Sequence, residues 1–413
     1  MDASSFRIWV GVDRGDREHQ VCAVVEGREQ QRKVEHSGAG MKQLVAWLLE
    51  LSGGRPAIVA VGIEVPHGVV VDCLLEHRFS VFSINPKQLD RFRDRFTVAG
   101  AKDDSRDARV LASSLETDPQ AFLHLAPENP LIVQLREATH VLEDLKEERR
   151  ALANRLRDQL NRYYPQILEL SGAADEVWIW DLIERWPLPE QARRARAGPV
   201  KHILREHHIR RVTTDDVLKV LKAPALPVAP GVHEAATGHI ELLLPRLRLV
   251  CKQQARCEGT IATLLRGLGE VSEDASGEKR EHRDVDILRS MPGAGEFVTA
   301  TMLAEASRPL TERNYHVLRA RSGTAPVTRQ SGKTRFVSMR YACNSRLRNA
   351  LHYMSNTARL HDPRAEAVYR SHRAKGQTHA RALRAVGDRQ LQLLVTLLER
   401  DELFDFTRRQ TSP

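Results

Sequence analysis

The chain has 413 residues, 41% of them hydrophobic and 28% charged, enough for ordinary buried cores and for two or three domains. No run approaches the roughly 18 apolar residues of a membrane span, and MDASSFRIWVGVD leads straight into a strand pattern, so neither a membrane protein nor a signal peptide is expected. The five cysteines are scattered without the paired short spacing of a zinc site, and the formal net charge of +9 points to a polyanionic partner.

From the N-terminus, FRIWVGVD, HQVCAVVE and RKVEHS predict three consecutive short strands, because β-branched and apolar residues alternate with polar ones between turn residues. GMKQLVAWLLEL predicts a helix closed by Ser52-Gly53-Gly54. AIVAVGIEV is a near-continuous apolar run, the mark of a strand buried on both faces at the centre of a sheet. VVVDCLLEHR then reads as a helix, FSVFSIN as a strand, and SRDARVLASSLE as a helix beyond a loop. Three strands, helix, strand, helix, strand, helix is the order of an α/β RNase H-like (RuvC-like) domain, expected over residues 1–125.

After the turn-rich DPQAFLHLAPENP, residues 126–284 change to long helices. Leu135, Leu142, Leu145, Leu152, Leu156, Leu160 and Tyr163 form a charge-flanked stripe of coiled-coil type, expected to meet a partner helix in a homo-oligomer. Residues 171–235, with Trp178, Trp180 and Trp186, read as irregular. A second long helix, roughly 236–268, is interrupted by Pro245, which leaves its pairing with the first open. GLGEVSEDASGEKREHRD reads as an exposed linker.

The remainder, 285–413, is expected to be a mostly α, basic domain. Residues 311–400 hold 18 Lys and Arg against 5 Asp and Glu, a net +13, so the rest of the chain is net −4. Between Arg313 and Arg348 stand nine basic residues and no acidic one, a single-sign stretch suited to neutralising phosphates.

Four carboxylates carry the clearest chemistry. Phosphodiester chemistry commonly uses two divalent cations, and hard Mg²⁺ or Mn²⁺ needs several oxygen ligands at one point. Asp13 ends the first strand and Glu64 ends the central apolar strand, so both belong at one sheet edge; Asp104 and Asp107 are three apart on a helix and share a face. Asp103 also shares a face with Asp107, four residues on, and spacing does not choose between Asp103 and Asp104. Taken singly, each acid has a plain role in a turn, a strand end or a helix start.

IWVGVD, then IE followed by a residue and Pro, then Lys102-Asp103-Asp104-Ser105-Arg106-Asp107-Ala108, and far downstream MPGAG and GTAP with RQSGK, resemble the DEDD transposases of insertion-sequence family 110, relatives of Piv-type DNA invertases. The resemblance covers nearly the whole chain in order, most weakly in the middle. It implies a family motif Lys-Thr-Asp-Arg-x-Asp-Ala in which Asp103 takes the threonine position and Asp104 and Asp107 are ligands. It further implies a RuvC-like domain, a coiled-coil middle and a C-terminal transposase domain. In that last domain a serine, here Ser331, attacks DNA to form a phosphoserine link, with target choice guided by a structured RNA.

Ser322-Gly323 is a rival, but it aligns with the variable residue before the family's Gly-x-x-Pro. Pro292-Gly293-Ala294-Gly295 resembles a helix-hairpin-helix turn able to hold a phosphate. Arg329, Lys333, Arg335, Arg346 and Arg348 are the expected nucleic-acid contacts. The partners implied are DNA, a guide RNA and further copies of the chain, with no membrane, in the bacterial cytoplasm at the nucleoid. Two departures stand near Ser331: Arg321-Ser322 replaces an aromatic residue, and Tyr341-Ala-Cys-Asn-Ser lacks a glycine usual before Leu-Arg. A metal-only junction nuclease and a non-catalytic nucleic-acid-binding protein are the alternatives.

Overall fold

The computed structural model describes residues 5–96, 104–269, 279–332 and 334–406, which divide into two compact units, Met1–Asn129 and Pro130–Pro413. In the first unit β1 (Ile8–Arg14), β2 (Glu18–Val25) and β3 (Arg28–Glu35) form an antiparallel meander. Then follow α1 (Gly38–Leu51), whose N-cap Ser37 accepts from the Gly40 amide, β4 (Val59–Ile63), α2 (Val69–Glu76) and β5 (Ser80–Ser83). The unit closes with α3 (Pro86–Phe96), α4 (Asp104–Thr117) and β6 (Leu123–Leu125). The mixed sheet has the order β3-β2-β1-β4-β5-β6, with β4 parallel to both β1 and β5.

All five residues of β4 are buried, as its unbroken apolar run requires of a strand covered on both faces. Val10, Val12, Val61 and Val81 pack against Leu44 and Leu48 of α1 and Leu74 of α2; the opposite face sets Ala60 and Phe82 against Leu111 and Leu115 of α4.

Two elements here escaped the sequence reading. In α3, within the expected loop, Leu89, Phe92 and Phe96 fall at helical spacing but are outnumbered by charges. The three-residue β6, within the expected turn-rich stretch, takes its stability from pairing with β5 and not from its own pattern.

The second unit is mostly helical, and 64% of the described residues are helix. It opens with α5 (Pro130–Tyr163), which begins on a proline, a residue preformed for the first helical turn. The stretch expected to be irregular contains α6 (Val177–Arg185), α7 (Pro189–Ala192), α8 (Ala197–Glu206) and α9 (Thr214–Leu221). Helices this short show little periodicity and are held by packing. Trp178 and Trp180 are buried at their centre, with indole N–H groups donating to Glu176 Oε2 and the Ala174 carbonyl, both at 2.8 Å.

The long α10 (Val232–Gly269) runs through Pro245. Pro245 and Glu241, whose carbonyl loses its helical partner, both lie on the exposed face, where water can satisfy it. Consequently α10 lies antiparallel along α5. The early part of α5 and the late part of α10 share one core, through Leu135, Leu142, Ile261 and Leu265, while the other ends share a second, through Leu156, Leu160, Leu243 and Leu247. Leu135, Leu142, Leu152, Leu156, Leu160 and Tyr163 are each at most 1% exposed in the single chain. The stripe is therefore consumed within the chain, and α10 occupies the place in which a helix of another copy was expected.

The rest of the unit comprises α11 (Lys279–Ser290), α12 (Glu296–Thr311), α13 (Tyr315–Arg321), β7 (Val327–Ser331), β8 (Thr334–Ser338), α14 (Ser345–His361), α15 (Pro363–Ala374) and α16 (His379–Arg400). Helices α5 and α10 reach the core formed by α11, α12, α14 and α16, so segments 126–284 and 285–413 are joined through shared side chains.

The end of the expected linker is in fact structural. Asp284 lies in α11, is 6% exposed, and takes a two-pronged ion pair from Arg313 at 2.6 and 2.7 Å. Asp284→Ala should strand the half-buried guanidinium and destabilise the chain by about 3 kcal/mol. Urea unfolding measures this, and an unchanged midpoint would return the segment to linker status.

Candidate active-site residues

Asp13 and Glu64 are placed by strand register. Val12 pairs with Ile63 in the parallel β1–β4 ladder, so the next residues, Asp13 and Glu64, stand side by side at the carboxyl edge of the two central strands. Open α/β sheets bind ligands beyond that edge. Arg14 also ends there, and its Nη1 donates to the His67 carbonyl at 3.3 Å, tying the loop after Glu64 back to β1.

Asp107 arrives on α4. That helix rests directly on Gly11: a Cβ at Gly11 would stand 1.9 Å from the Ala108 carbonyl oxygen and 2.6 Å from the Ala112 nitrogen. Only a residue without a side chain permits this approach, and the contact seats Asp107, 7% exposed, one residue from the point where helix meets strand. Asp104 opens α4, one turn before Asp107. Its side chain, like the whole of Asp103, lies outside the described residues.

Among the described residues, no three His, Cys, Asp or Glu side chains are grouped closely enough to hold a metal ion. What fits a hard divalent cation is the donor chemistry, oxygen from carboxylates only, together with the delivery of Asp13, Glu64 and Asp107 by three elements packed on one another.

A pair of histidines flanks this edge. His19, fully buried, lies opposite Arg14 in the β1–β2 ladder, and its Nε2 is 2.9 Å from His36 Nδ1. Burial, then the charges of His36 and Arg14, hold its pKa below the ordinary 6.5. The folded chain thus keeps His19 neutral while the unfolded chain binds a proton. Stability from this group is full above about pH 6.5 and is lost as pH falls from there to the folded value, by at most about 1.4 kcal/mol per pH unit. Thermal melts between pH 7.5 and 5 should show this slope, and His19→Gln should flatten it; equal slopes would refute the assignment.

Ser331 is the last residue of β7 and pairs with Thr334, so β7 and β8 form a tight antiparallel hairpin that begins its turn at Gly332. Gly332 has φ +54°, the left-handed conformation such turns demand. The hairpin did not emerge from the sequence reading, although VTRQS and TRFVS around a glycine carry its alternation.

Ser331 is exposed, whereas the rival Ser322 is 1% exposed, with its hydroxyl 3.2 Å from Thr324 Oγ1 and 3.4 Å from the Arg319 carbonyl. Accessibility to a strand separates the two. Of the expected basic contacts, Arg329 is exposed on β7, Arg346 pairs with Glu143 at 2.8 Å, and Arg348 is half-buried beside Cys343. Lys333 and the Arg335 side chain lie outside the described residues.

Pro292–Gly295 forms the turn between α11 and α12, with Gly293 at φ +83° against the Met354 carbonyl. Glu296, in the first turn of α12, pairs with Arg289 at 3.6 Å and already occupies the positive helix end with a carboxylate. All five cysteines are unpaired, and no described helix is long and apolar enough to cross a membrane.

Comparison with known proteins gives two family matches. Residues 10–165 match the DEDD-type IS110 model, described as "Transposase", and residues 285–370 match "Transposase IS116/IS110/IS902 family". A protein of Sinorhizobium fredii named as transposase y4uE is 47% identical over 206 residues, covering 49% of this chain and 57% of that protein. The mini-circle protein of Streptomyces coelicolor named as the transposase for IS117 is 28% identical, covering 98% of this chain and 97% of that one. An insertion element IS116 protein of Streptomyces clavuligerus is 26% identical over 98% of both. With both matched segments in the family's order and end-to-end similarity to insertion-element proteins, the chain belongs to the IS110 family of transposases.

Proposed function

We propose that this transposase cuts and rejoins DNA strands through a RuvC-like DEDD site of Asp13, Glu64, Asp104 and Asp107 and a serine nucleophile, Ser331. The observation that carries the reading is the carboxyl edge of β1 and β4, where Asp13 and Glu64 end adjacent parallel strands and Gly11 admits the helix bearing Asp107. An antiparallel meander followed by two parallel strands, in the order β3-β2-β1-β4-β5, supports the RNase H-like assignment.

The four carboxylates would hold divalent cations, Mg²⁺ or Mn²⁺, which when bound supply Lewis-acid stabilisation of charge on the reacting phosphate. Ser331, exposed at the tip of its hairpin, presents its Oγ to a scissile phosphodiester. As the Oγ–P bond forms, the hydroxyl proton passes to solvent and the DNA oxygen departs with the electrons of its P–O bond. Attack by a DNA hydroxyl on the phosphoserine then reverses the exchange and rejoins strands. Arg329 stands two residues before Ser331 on the same strand face, placed for a neighbouring phosphate. Guidance by a structured RNA and assembly into a homo-oligomer belong to the same reading. With the α5 stripe buried, assembly uses another surface.

Purified protein mixed with Mg²⁺, RNA from the element's flanking segment and element-end DNA should give a denaturation-resistant protein–DNA adduct that Ser331→Ala lacks. An adduct in Ser331→Ala would discard this nucleophile. Free cleaved ends without any adduct would favour the metal-only nuclease, with water in place of the serine.

A further inference from the structure

The second unit contains a cavity of about 300 Å³ lined by Ser322, Thr324, Met339, Arg348, His352 and Arg384, among others, and none of its described lining residues is acidic. Elsewhere in this unit half-buried arginines donate to oxygen: Arg313, Arg319 and Arg346 to the carboxylates of Asp284, Asp388 and Glu143, and Arg149 and Arg340 to carbonyl or amide oxygens. The two cavity arginines instead face sulfur. Arg348 Nη1 faces Cys343 Sγ at 3.9 Å and Arg384 Nη1 faces Met339 Sδ at 3.4 Å, and sulfur is a weak acceptor.

Burial, with Arg381 close by, draws the Arg384 pKa down, and burial with His379 and Arg384 does the same to His352. Two partly desolvated arginines thus border a largely apolar hollow with no carboxylate among its described lining residues to balance them.

The place of the cavity in the fold suggests its occupant. Thr324 lies shortly before β7 and Met339 directly follows β8, so the cavity is at the base of the hairpin whose tip carries Ser331. A five-residue strand spans about 16 Å, roughly five phosphates along a B-form strand. Tyr341, two residues beyond Met339, exposes 80% of its surface and leaves its ring open to a stacking partner.

We propose that this cavity is a phosphate subsite for a DNA strand, in which Arg348 and Arg384 hold one backbone phosphodiester and Tyr341 offers its ring to an adjoining base. The inference rests on the chain's being a DNA-handling transposase and not on the serine chemistry.

The test uses full-length protein and two readouts. Sodium phosphate, against sodium chloride at equal ionic strength, should raise the melting temperature of the wild type and not of the Arg348→Gln/Arg384→Gln double variant. With a DNA oligonucleotide, the slope of log Kd against log salt should fall by about one in the double variant. Arg389→Gln, an exposed charge on the same helix, should leave the slope in place, and Tyr341→Ala should weaken DNA binding without altering the phosphate-dependent melting shift. An unchanged slope in a folded double variant overturns the proposal, whether or not RNA binding falls. So does an equal loss in Arg389→Gln, which would mean general charge and not a site. Ser331→Ala should keep the full slope, so failure of the nucleophile and failure of the subsite are separately visible.

Discussion

Glu64→Gln and Asp107→Asn should each abolish metal-dependent DNA cutting while leaving DNA binding intact. Each substitution keeps the shape of the side chain and removes one anionic oxygen donor. A divalent cation contributes several kcal/mol to stabilising charge in such reactions, so losing a ligand should slow cutting by roughly three powers of ten. The two positions test different elements: Glu64 continues the central strand, and Asp107 rides on the helix that crosses it. Cleavage of element-end DNA across a Mg²⁺ titration measures the effect, with DNA affinity measured alongside. If both variants, still folded, cut at the wild-type rate, the acids are not the metal site, and a binding role for the protein becomes the better account.

A second large effect is expected at a residue with no side chain. In Gly11→Ala the new methyl would have to occupy space 1.9 Å from one α4 backbone atom and 2.6 Å from another. Overpacking of this kind commonly costs 1–3 kcal/mol, and because backbone cannot swing aside as a side-chain tip can, about 3 kcal/mol or more is expected here. Relief requires α4 to lift from β1, which carries Asp107 away from Asp13 and Glu64. Cutting should therefore collapse even though all four acids remain. Gly38→Ala, in the same unit with open space around it and an ordinary backbone conformation, should be neutral. Thermal unfolding and cleavage measured together decide the matter; an active, stable Gly11→Ala would show that α4 does not position the site.

Reading the chain without its fold succeeded where a pattern is local. The alternation in β1 and β2, the unbroken apolar run of β4 and the capped α1 all appear at their expected places. It failed where stability comes from elsewhere in the chain. The helices α6 to α9 are short and organised around buried tryptophans, β6 depends on β5, and Asp284 belongs to a buried ion pair with a residue 29 positions away. The leucine stripe of α5 was visible, but its partner was not. A heptad pattern reports that one face must be covered, and only the path of the chain showed that α10 covers it despite Pro245.

The candidate site divides along the same line. By itself the sequence determined the residue types: carboxylates ending two strands and spaced three apart on a helix, a serine before glycine in a basic stretch, and an excess of positive charge confined to one part of the chain. These follow from composition and short-range spacing, which need no fold to be read. Only the tertiary structure decided that Asp13 and Glu64 are neighbours in register, that Gly11 is the seat of α4, that Ser331 is open while Ser322 is closed, and that Arg348 and Arg384 share a hollow with no carboxylate among its described lining residues. Each of those depends on backbones far apart in sequence approaching within a few ångströms, and no window along the chain records such an approach.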